Sequence, residues 1–434
     1  MAHTESDEPG TVEPISVEPI SDEPISDEPG PTPLLCPAEG VPPVSVSADD
    51  IAAAAERLAS GSGPFAVDAE RASGFRYSNR AYLIQIRRSG AGTVLIDPVN
   101  QGGSPIDVLR PLAEVLGADE WILHAADQDL PCLAEVGLQP PALYDTELAG
   151  RLAGFERVNL AAMVQRLLGL GLAKGHGAAD WSKRPLPAAW LNYAALDVEV
   201  LIELRSATAD LLGEQGKTNW ASEEFEYLRC AQSTPTRRDR WRRTSGLHKV
   251  RTREGLAAVR ELWTVRDRIA RRRDIAPGRI LPDSAIIDAA LSGATTVEQL
   301  TALPVFGGQK QRKSAHVWLE ALQAARRAEP PELAEPSDGP PPVMRWSKRK
   351  PEAAAYLEAA RAAITEVSAR VGVPAENLVS PDLVRRLCWD WTPCTDAGEA
   401  VEEFLSRGGA RGWQRALVTP ALAGALKSPP PASP

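Results

Sequence analysis

Asp68 and Glu70 stand two residues apart in PFAVDAE (64–70). In a strand, both side chains leave the same face. Phe65, Val67 and Ala69 take the opposite face and make it apolar. Two carboxylates held together repel, and burying them is costly without a cation between them. A divalent ion removes that conflict, and hard carboxylate oxygens suit Mg²⁺ or Mn²⁺, not zinc. Tyr193 and Asp197 stand four apart, which puts both on one helix face, with small or apolar Ala194, Ala195 and Leu196 around them. Asp129 follows the strand-like EWILH (120–124), early in a helix whose macrodipole favours an acid there. Asp127 competes with it: Asp127 fits a capping role, Asp129 a helix face. Each feature alone has an ordinary reading, as a solvated strand face, an edge-of-core tyrosine or a helix-start acid.

The elements that would position these residues alternate in type. PFAVDAE (64–70), AYLIQIRR (81–88) and TVLIDP (93–98) read as strands separated by turns. PIDVLRPLAEVL (105–116) has helical spacing, and EWILH leads to a helix over 126–136. ALYDT (142–146) is a short strand, after which the pattern is helical to Gly213. Three sequential strands followed by alternation predict an α/β domain with a mixed sheet over 46–230. Residues 1–45 read as a disordered acidic tail, since EPISVEPISDEPISDEPG places Pro every fifth residue and little apolar surface. Pro-rich breaks then leave helical bodies at 237–328 and 352–427, joined by a linker at 329–351.

The chain has 434 residues and a net charge of −10, but the charge is segregated. Twelve acids and no Lys or Arg lie in residues 1–50, which leaves +2 for the rest. Residues 237–279 hold fifteen Lys or Arg against five acids, an electrostatic footprint for phosphate. The five cysteines show no Cys-x-x-Cys pair, so neither a disulfide framework nor a zinc site is expected. No signal peptide or membrane span is legible, which makes the cytoplasm the expected compartment. No Gly-rich phosphate loop occurs, so no nucleotide cofactor is expected.

The order Asp-x-Glu on a strand, Asp after a strand and Tyr-x-x-x-Asp on a helix resembles the DEDD 3′–5′ exonucleases, and specifically their tyrosine-containing, ribonuclease D-like subgroup. FAVDAERASGFRYSNRAYLIQI resembles the first exonuclease motif, ILHAADQDL the second, LYDTELAGRLAG the segment after it, and ADWSKRPLPAAWLNYAALDVEVL the third. The Gly/Ala-rich KGHGAAD (174–180) departs from the family pattern. The resemblance covers residues 60–215. It implies a ribonuclease H-like α/β fold and two divalent ions, Mg²⁺ or Mn²⁺, on Asp68, Glu70, Asp129 and Asp197. Tyr193 would orient the attacking water, and nucleoside 5′-monophosphates would leave from a 3′ end. His124, Asp97, Gln85, Tyr82 and Phe65 read as structural, and Asp145 as a helix cap. Trp181 and Arg184 would hold the helix that carries Tyr193, with Arg184 also a candidate phosphate contact. Tyr77 and Trp190 are candidates for base stacking.

ELWTVRDRIARRRDIAPGRILPDSAIIDAAL with LPVFGGQKQRKSAHVWLEAL is similar to an HRDC domain, a small helical nucleic-acid-binding module. Arg271, Arg272, Lys310, Arg312 and Lys313 would face phosphate. Residues 352–427 resemble a second, divergent HRDC-type domain. The implied function is trimming of structured RNA 3′ ends, of the tRNA-precursor kind, by a monomer. A DNA exonuclease is the runner-up, because the ligands do not read the 2′-hydroxyl. A binder with a dead nuclease fold is the rival of another class.

Overall fold

The computed structural model describes residues 30–99, 103–173, 175–231, 239–333 and 339–427. A six-stranded mixed sheet organises the first body, in the order β2-β5-β4-β3-β6-β7. The strands are β2 (Val44–Ser45), β3 (Ser62–Arg71), β4 (Ala81–Ser89), β5 (Gly92–Ile96), β6 (Trp121–Leu123) and β7 (Leu143–Asp145). β3, β4 and β5 form an antiparallel meander, while β6 pairs parallel to β3, β7 to β6 and β2 to β5.

The period of two decides what each face does. Phe65, Val67 and Ala69 of β3 join Ile84 and Ile86 of β4 beneath α1 (Ala48–Ala59) and α2 (Arg110–Leu116). The helix expected over 105–116 breaks into Pro105–Val108 and α2, because Pro111 has no N–H to continue the ladder. The helix expected over 126–136 likewise becomes a 3₁₀ turn, Ala126–Gln128, and α3 (Leu130–Glu135) with Pro131 at its start. The chain continues through α4 (Thr146–Leu152), α5 (Leu160–Leu168), α6 (Ala188–Glu199), α7 (Leu201–Glu214) and α8 (Thr218–Cys230). α6 lies across β3, β4 and β5 on the face that carries Asp68 and Glu70.

The acidic tail expected over 1–45 is shorter at its C-terminal side. β1 (Thr32–Leu34) pairs in parallel with β8 (Leu170–Leu172), a strand inside the run expected to be helical. Gly169, at φ 68°, ends α5 and turns the chain into β8. The segment then runs along α6, where Asn192 donates to Leu35 O at 2.9 Å and Ala38 N–H to Glu199 at 3.2 Å. Residues 1–29 lie outside the described residues, as do 232–238, where the break between the bodies expected at 46–230 and 237–328 falls.

Two helical bodies follow. The first is built on α9 (Arg253–Arg273), α10 (Asp283–Ser292) and α11 (Ala315–Arg327). It has its own core around Trp241, Phe306 and Trp318. The second contains α12 (Pro351–Val371), α13 (Pro381–Asp390), α14 (Ala397–Arg407) and α15 (Gly412–Lys427). It begins earlier than expected, because Trp346 is fully buried and donates to Pro341 O at 2.7 Å. The linker expected over 329–351 is therefore partly a folded edge of this body. No helix among the described residues is long and apolar enough to cross a membrane.

Candidate active site

β3, the 3₁₀ turn after β6, and α6 bring the candidate residues together. Ligand oxygens of Asp68, Glu70 and Asp197 all lie within 4.8 Å of one another. Glu70 is buried, and Asp68 and Asp197 are half-buried. The Tyr193 hydroxyl donates to Asp197, its neighbour one helical turn on. Asp129 is buried while Asp127 is exposed, which separates the two acids that sequence left in competition. Asp129 does not lie on a helix face. It stands at the N-cap of α3 without making a cap bond, and its Oδ1 lies 3.4 Å from Arg71 Nε.

The turn that presents Asp129 is built elsewhere. Ala125 is left-handed at φ 60°, ψ 55°, an unfavourable conformation for a residue with a Cβ. Asp145 holds it there, accepting Ala125 N–H at 3.1 Å and Ala126 N–H at 2.8 Å. The same carboxylate caps α4 through the N–H groups of Glu147 and Leu148. His124 is tied to Thr146, whose hydroxyl reaches Leu123 O, so the imidazole is structural. Burial pushes its pKa down to about 4.

Electrostatics give the acids one shared problem. Desolvation pushes the Glu70 carboxyl far above the usual range, and Asp68, Asp197 and Asp129 add to it. Asp129 rises for the same first reason, with Asp68 next. Asp197 also rises, by desolvation and then by Asp68. Asp68 is raised to about 6 by desolvation. Four acids that cannot all ionise in this setting form an all-oxygen donor set that a divalent cation would satisfy. The residues present therefore fit a divalent metal.

The remaining candidates divide. Arg184 binds Asp97 through Nε at 2.6 Å and Nη2 at 2.9 Å, and it donates to the carbonyls of Tyr82, Trp181 and Lys183. All five guanidinium donors are engaged, so none remains for the phosphate contact expected of it. Its role is to fasten the loop before α6. Trp181 is buried against Trp190, with ring centres 5.2 Å apart, and supports the same helix. Gly175 lies flat on Tyr193, where a Cβ would fall 1.6 Å from Cε2. His176 stands 6.0 Å from the rings of both Tyr193 and Trp190, and Lys174 lies outside the described residues. Gln85, directly opposite Asp68 on β4, is buried with neither amide atom bonded.

Arg271, Arg272, Lys310, Arg312 and Lys313 are exposed on the first helical body. That body docks on the 72–80 loop, which leaves β3 immediately after the acids. Tyr77 donates to Asp267 at 3.0 Å, Ser78 N–H to Asp274 at 2.8 Å, and Arg279 to Gly74 O at 2.7 Å. Arg271 stacks over Tyr77 at 5.7 Å and Arg279 over Phe75 at 4.0 Å. Tyr77, a stacking candidate, is thus largely occupied by this contact. Sequence reasoning missed Arg71 and Asn192. Each adjoins a residue it did select, and adjacency was the available signal.

Comparison with known proteins matches three segments of the chain to known families. Residues 43–212 match a family model described as 3′–5′ exonuclease, residues 255–322 an HRDC domain, and residues 339–426 a 3′ to 5′ exonuclease C-terminal domain. Ribonuclease D of Acidiphilium cryptum is 30% identical over 341 residues, covering 76% of this chain and 83% of that protein. A crystal structure of a protein from Bifidobacterium adolescentis is 36% identical, with a TM-score of 0.82 over 92% of this chain and 100% of the other. The structure of Escherichia coli RNase D, an exoribonuclease involved in structured RNA processing, is 25% identical, with a TM-score of 0.63 over 89% of this chain and 98% of the other.

Proposed function

The chain belongs to the ribonuclease D family of 3′–5′ exonucleases, and on that premise we propose that it trims the 3′ ends of structured RNA, of the tRNA-precursor kind, by metal-dependent hydrolysis. The observation that carries this reading is the convergence of Asp68, Glu70 and Asp197 within 4.8 Å, with Asp129 and Tyr193 beside them. Asp68, Glu70, Asp129 and Asp197 would hold two divalent ions, Mg²⁺ or Mn²⁺. When bound, such ions supply charge neutralisation and water activation for an in-line displacement at phosphorus.

The protein's own residues set the rest. Tyr193 is anchored on Asp197 and fixed by Gly175 across its ring, so its hydroxyl can orient the attacking water. Burial keeps that hydroxyl protonated, because desolvation and then Asp197 raise its pKa well above the usual phenol range. In the metal-free state it offers a hydrogen bond to Asp197. Asp145, through the left-handed Ala125, sets where Asp129 stands. The HRDC domain docks on the 72–80 loop, and its exposed cations would hold the body of the RNA, raising the local concentration of 3′ ends.

The test is a 5′-labelled RNA with an unpaired 3′ tail, incubated with Mn²⁺, Mg²⁺ or EDTA beside the matching DNA. A ladder that shortens from the 3′ end, needs metal and favours RNA is expected. Asp68→Ala should lower the rate at least about 100-fold. Near-normal activity in that variant, or intact RNA in every lane with the wild type, contradicts the reading.

A further inference from the structure

The strand that carries two of the acids also delivers a cation among them. Arg71 follows Glu70 directly, where the β3–β4 ladder shifts register: Glu70 faces Leu83, but Arg71 faces Ala81. The extra residue on β4 is Tyr82, and such a bulge twists the ladder and re-aims side chains. Arg71 Nε lies 3.4 Å from Asp129 Oδ1, and Nη2 lies 3.4 Å from Gln128 Oε1. The Arg71 side chain is 22% exposed and that of Asp129 is 7% exposed. The guanidinium favours the ionised forms of Asp68, Glu70 and Asp129 alike. Asp129 is the acid that stands outside the cluster formed by the other three, and it is the one Arg71 occupies.

We propose that Arg71 is a further substrate-contacting residue, held on Asp129 until the site is loaded and then turned to the phosphate next to the RNA 3′ end. This rests on reading the four acids as a metal site. A carboxylate shared with a divalent cation is a weaker partner for a guanidinium, and like charges drive Arg71 away from it. The incoming phosphate is the partner that the freed side chain matches best, because its planar fork pairs with two oxygens at once. Partial exposure leaves Arg71 a path towards the strand that enters.

An arginine that merely braces Asp129 makes the opposite prediction for metal binding. Losing a brace loosens Asp129 and weakens the metal. Losing a competing cation makes the site more negative and tightens it. The experiment uses the full-length protein with Arg71→Met and Arg71→Lys. Mn²⁺ binding is measured by titration calorimetry without RNA, and KM and kcat are measured on a short single-stranded RNA. For Arg71→Met we expect Mn²⁺ to bind about 5-fold tighter as the like charge is removed. Its KM should rise about 10-fold, as for loss of one charged phosphate contact. Arg71→Lys, which keeps the charge and loses the fork, should bind Mn²⁺ close to wild type and still show a raised KM. The opposite signs of the two effects in one variant are the signature. Mn²⁺ binding that is unchanged or weaker in Arg71→Met, or a KM that does not rise, overturns the proposal. Asp68→Asn separates this from the metal reading: if it binds Mn²⁺ like the wild type, the metal site itself is wrong. If Asp68→Asn loses Mn²⁺ while Arg71→Met behaves as wild type, only the role of Arg71 is.

Discussion

The two helical bodies are attached to the nuclease in opposite ways. The C-terminal body shares one continuous core with α4–α8, in which Tyr144, Leu204 and Phe225 pack together with Leu357, Trp413 and Leu422. At its centre Glu224 is buried and accepts Arg411 at 2.6 and 2.7 Å and Trp413 Nε1 at 2.8 Å, while Trp413 stacks on Trp220 at 5.1 Å. The HRDC domain keeps its own core and meets the nuclease at the 72–80 loop, through Asp267, Asp274 and Arg279. Such polar contacts, partly open to water, stabilise modestly, whereas a shared apolar core does not come apart without unfolding. The C-terminal body is therefore part of the catalytic fold, and the HRDC domain is an attachment on the loop that follows the acids of β3. This bears on a simple experiment: truncation at residue 237 removes both bodies and strips the nuclease of core, so it does not isolate RNA capture.

The difference is broken most severely at Glu224. Glu224→Ala takes the carboxylate from half-buried Arg411 and from the buried Trp413 Nε1, and should destabilise the nuclease by about 2–3 kcal/mol. Denaturant melts should show this loss, with activity on short and structured RNA falling together. Unchanged stability would mean that the shared core is not one unit. At the other junction, Asp274→Ala with Arg279→Ala should leave the melt of the nuclease near wild type. KM for structured RNA should rise about 10-fold, which corresponds to about 1.4 kcal/mol of lost docking, with kcat on a trinucleotide unchanged. Equal losses on both substrates would erase the distinction.

A third prediction concerns the acidic site itself. Asp68 has a folded pKa of about 6, raised by desolvation above its unfolded value of about 3.9. A raised carboxyl costs nothing below the unfolded pKa and destabilises increasingly as pH rises through the folded one. The metal-free protein should therefore lose stability from about pH 4 upward, through about 6 for Asp68 and about 8 for Asp129. Mn²⁺ should restore more stability at pH 8 than at pH 5. Asp68→Asn without metal should melt higher than the wild type at pH 8, by thermal shift. The reverse order would show that the acids are not in conflict. The smallest effect is expected for Lys310→Ala, Arg312→Ala and Lys313→Ala combined. On single-stranded RNA the slope of log KM against log salt should fall by about 2 in magnitude.

How much was legible in the sequence follows from how local each feature is. Asp68 with Glu70, and Tyr193 with Asp197, are set by periods of two and about four residues, and they lie together as those periods require. The mixed sheet and the HRDC match were legible for the same reason, since long periodic runs and charge clusters are local. Asp129 was chosen over Asp127 only by motif order, and of the two it is the buried one. Its placement depends on Asp145, sixteen residues on, holding a left-handed Ala125. Arg184 looked free for phosphate, because nothing in RPLP shows that Asp97, far back in the chain, takes two of its donors. The pairing of β1 with β8 joins two three-residue strands, too short to display any alternation. The Pro-rich stretch before residue 352 read as a linker, yet Trp346 is buried within it.

The central claim is that Asp68, Glu70, Asp129 and Asp197 together hold the divalent ions of a nuclease centre. Crystals soaked with Mn²⁺ and measured for anomalous scattering test it most directly. The account predicts anomalous peaks bounded by these four side chains, with Asp129 drawn off Arg71 to reach them, and their loss in Asp68→Asn. Peaks elsewhere, or none at saturating Mn²⁺ while Arg71 still holds Asp129, would contradict it.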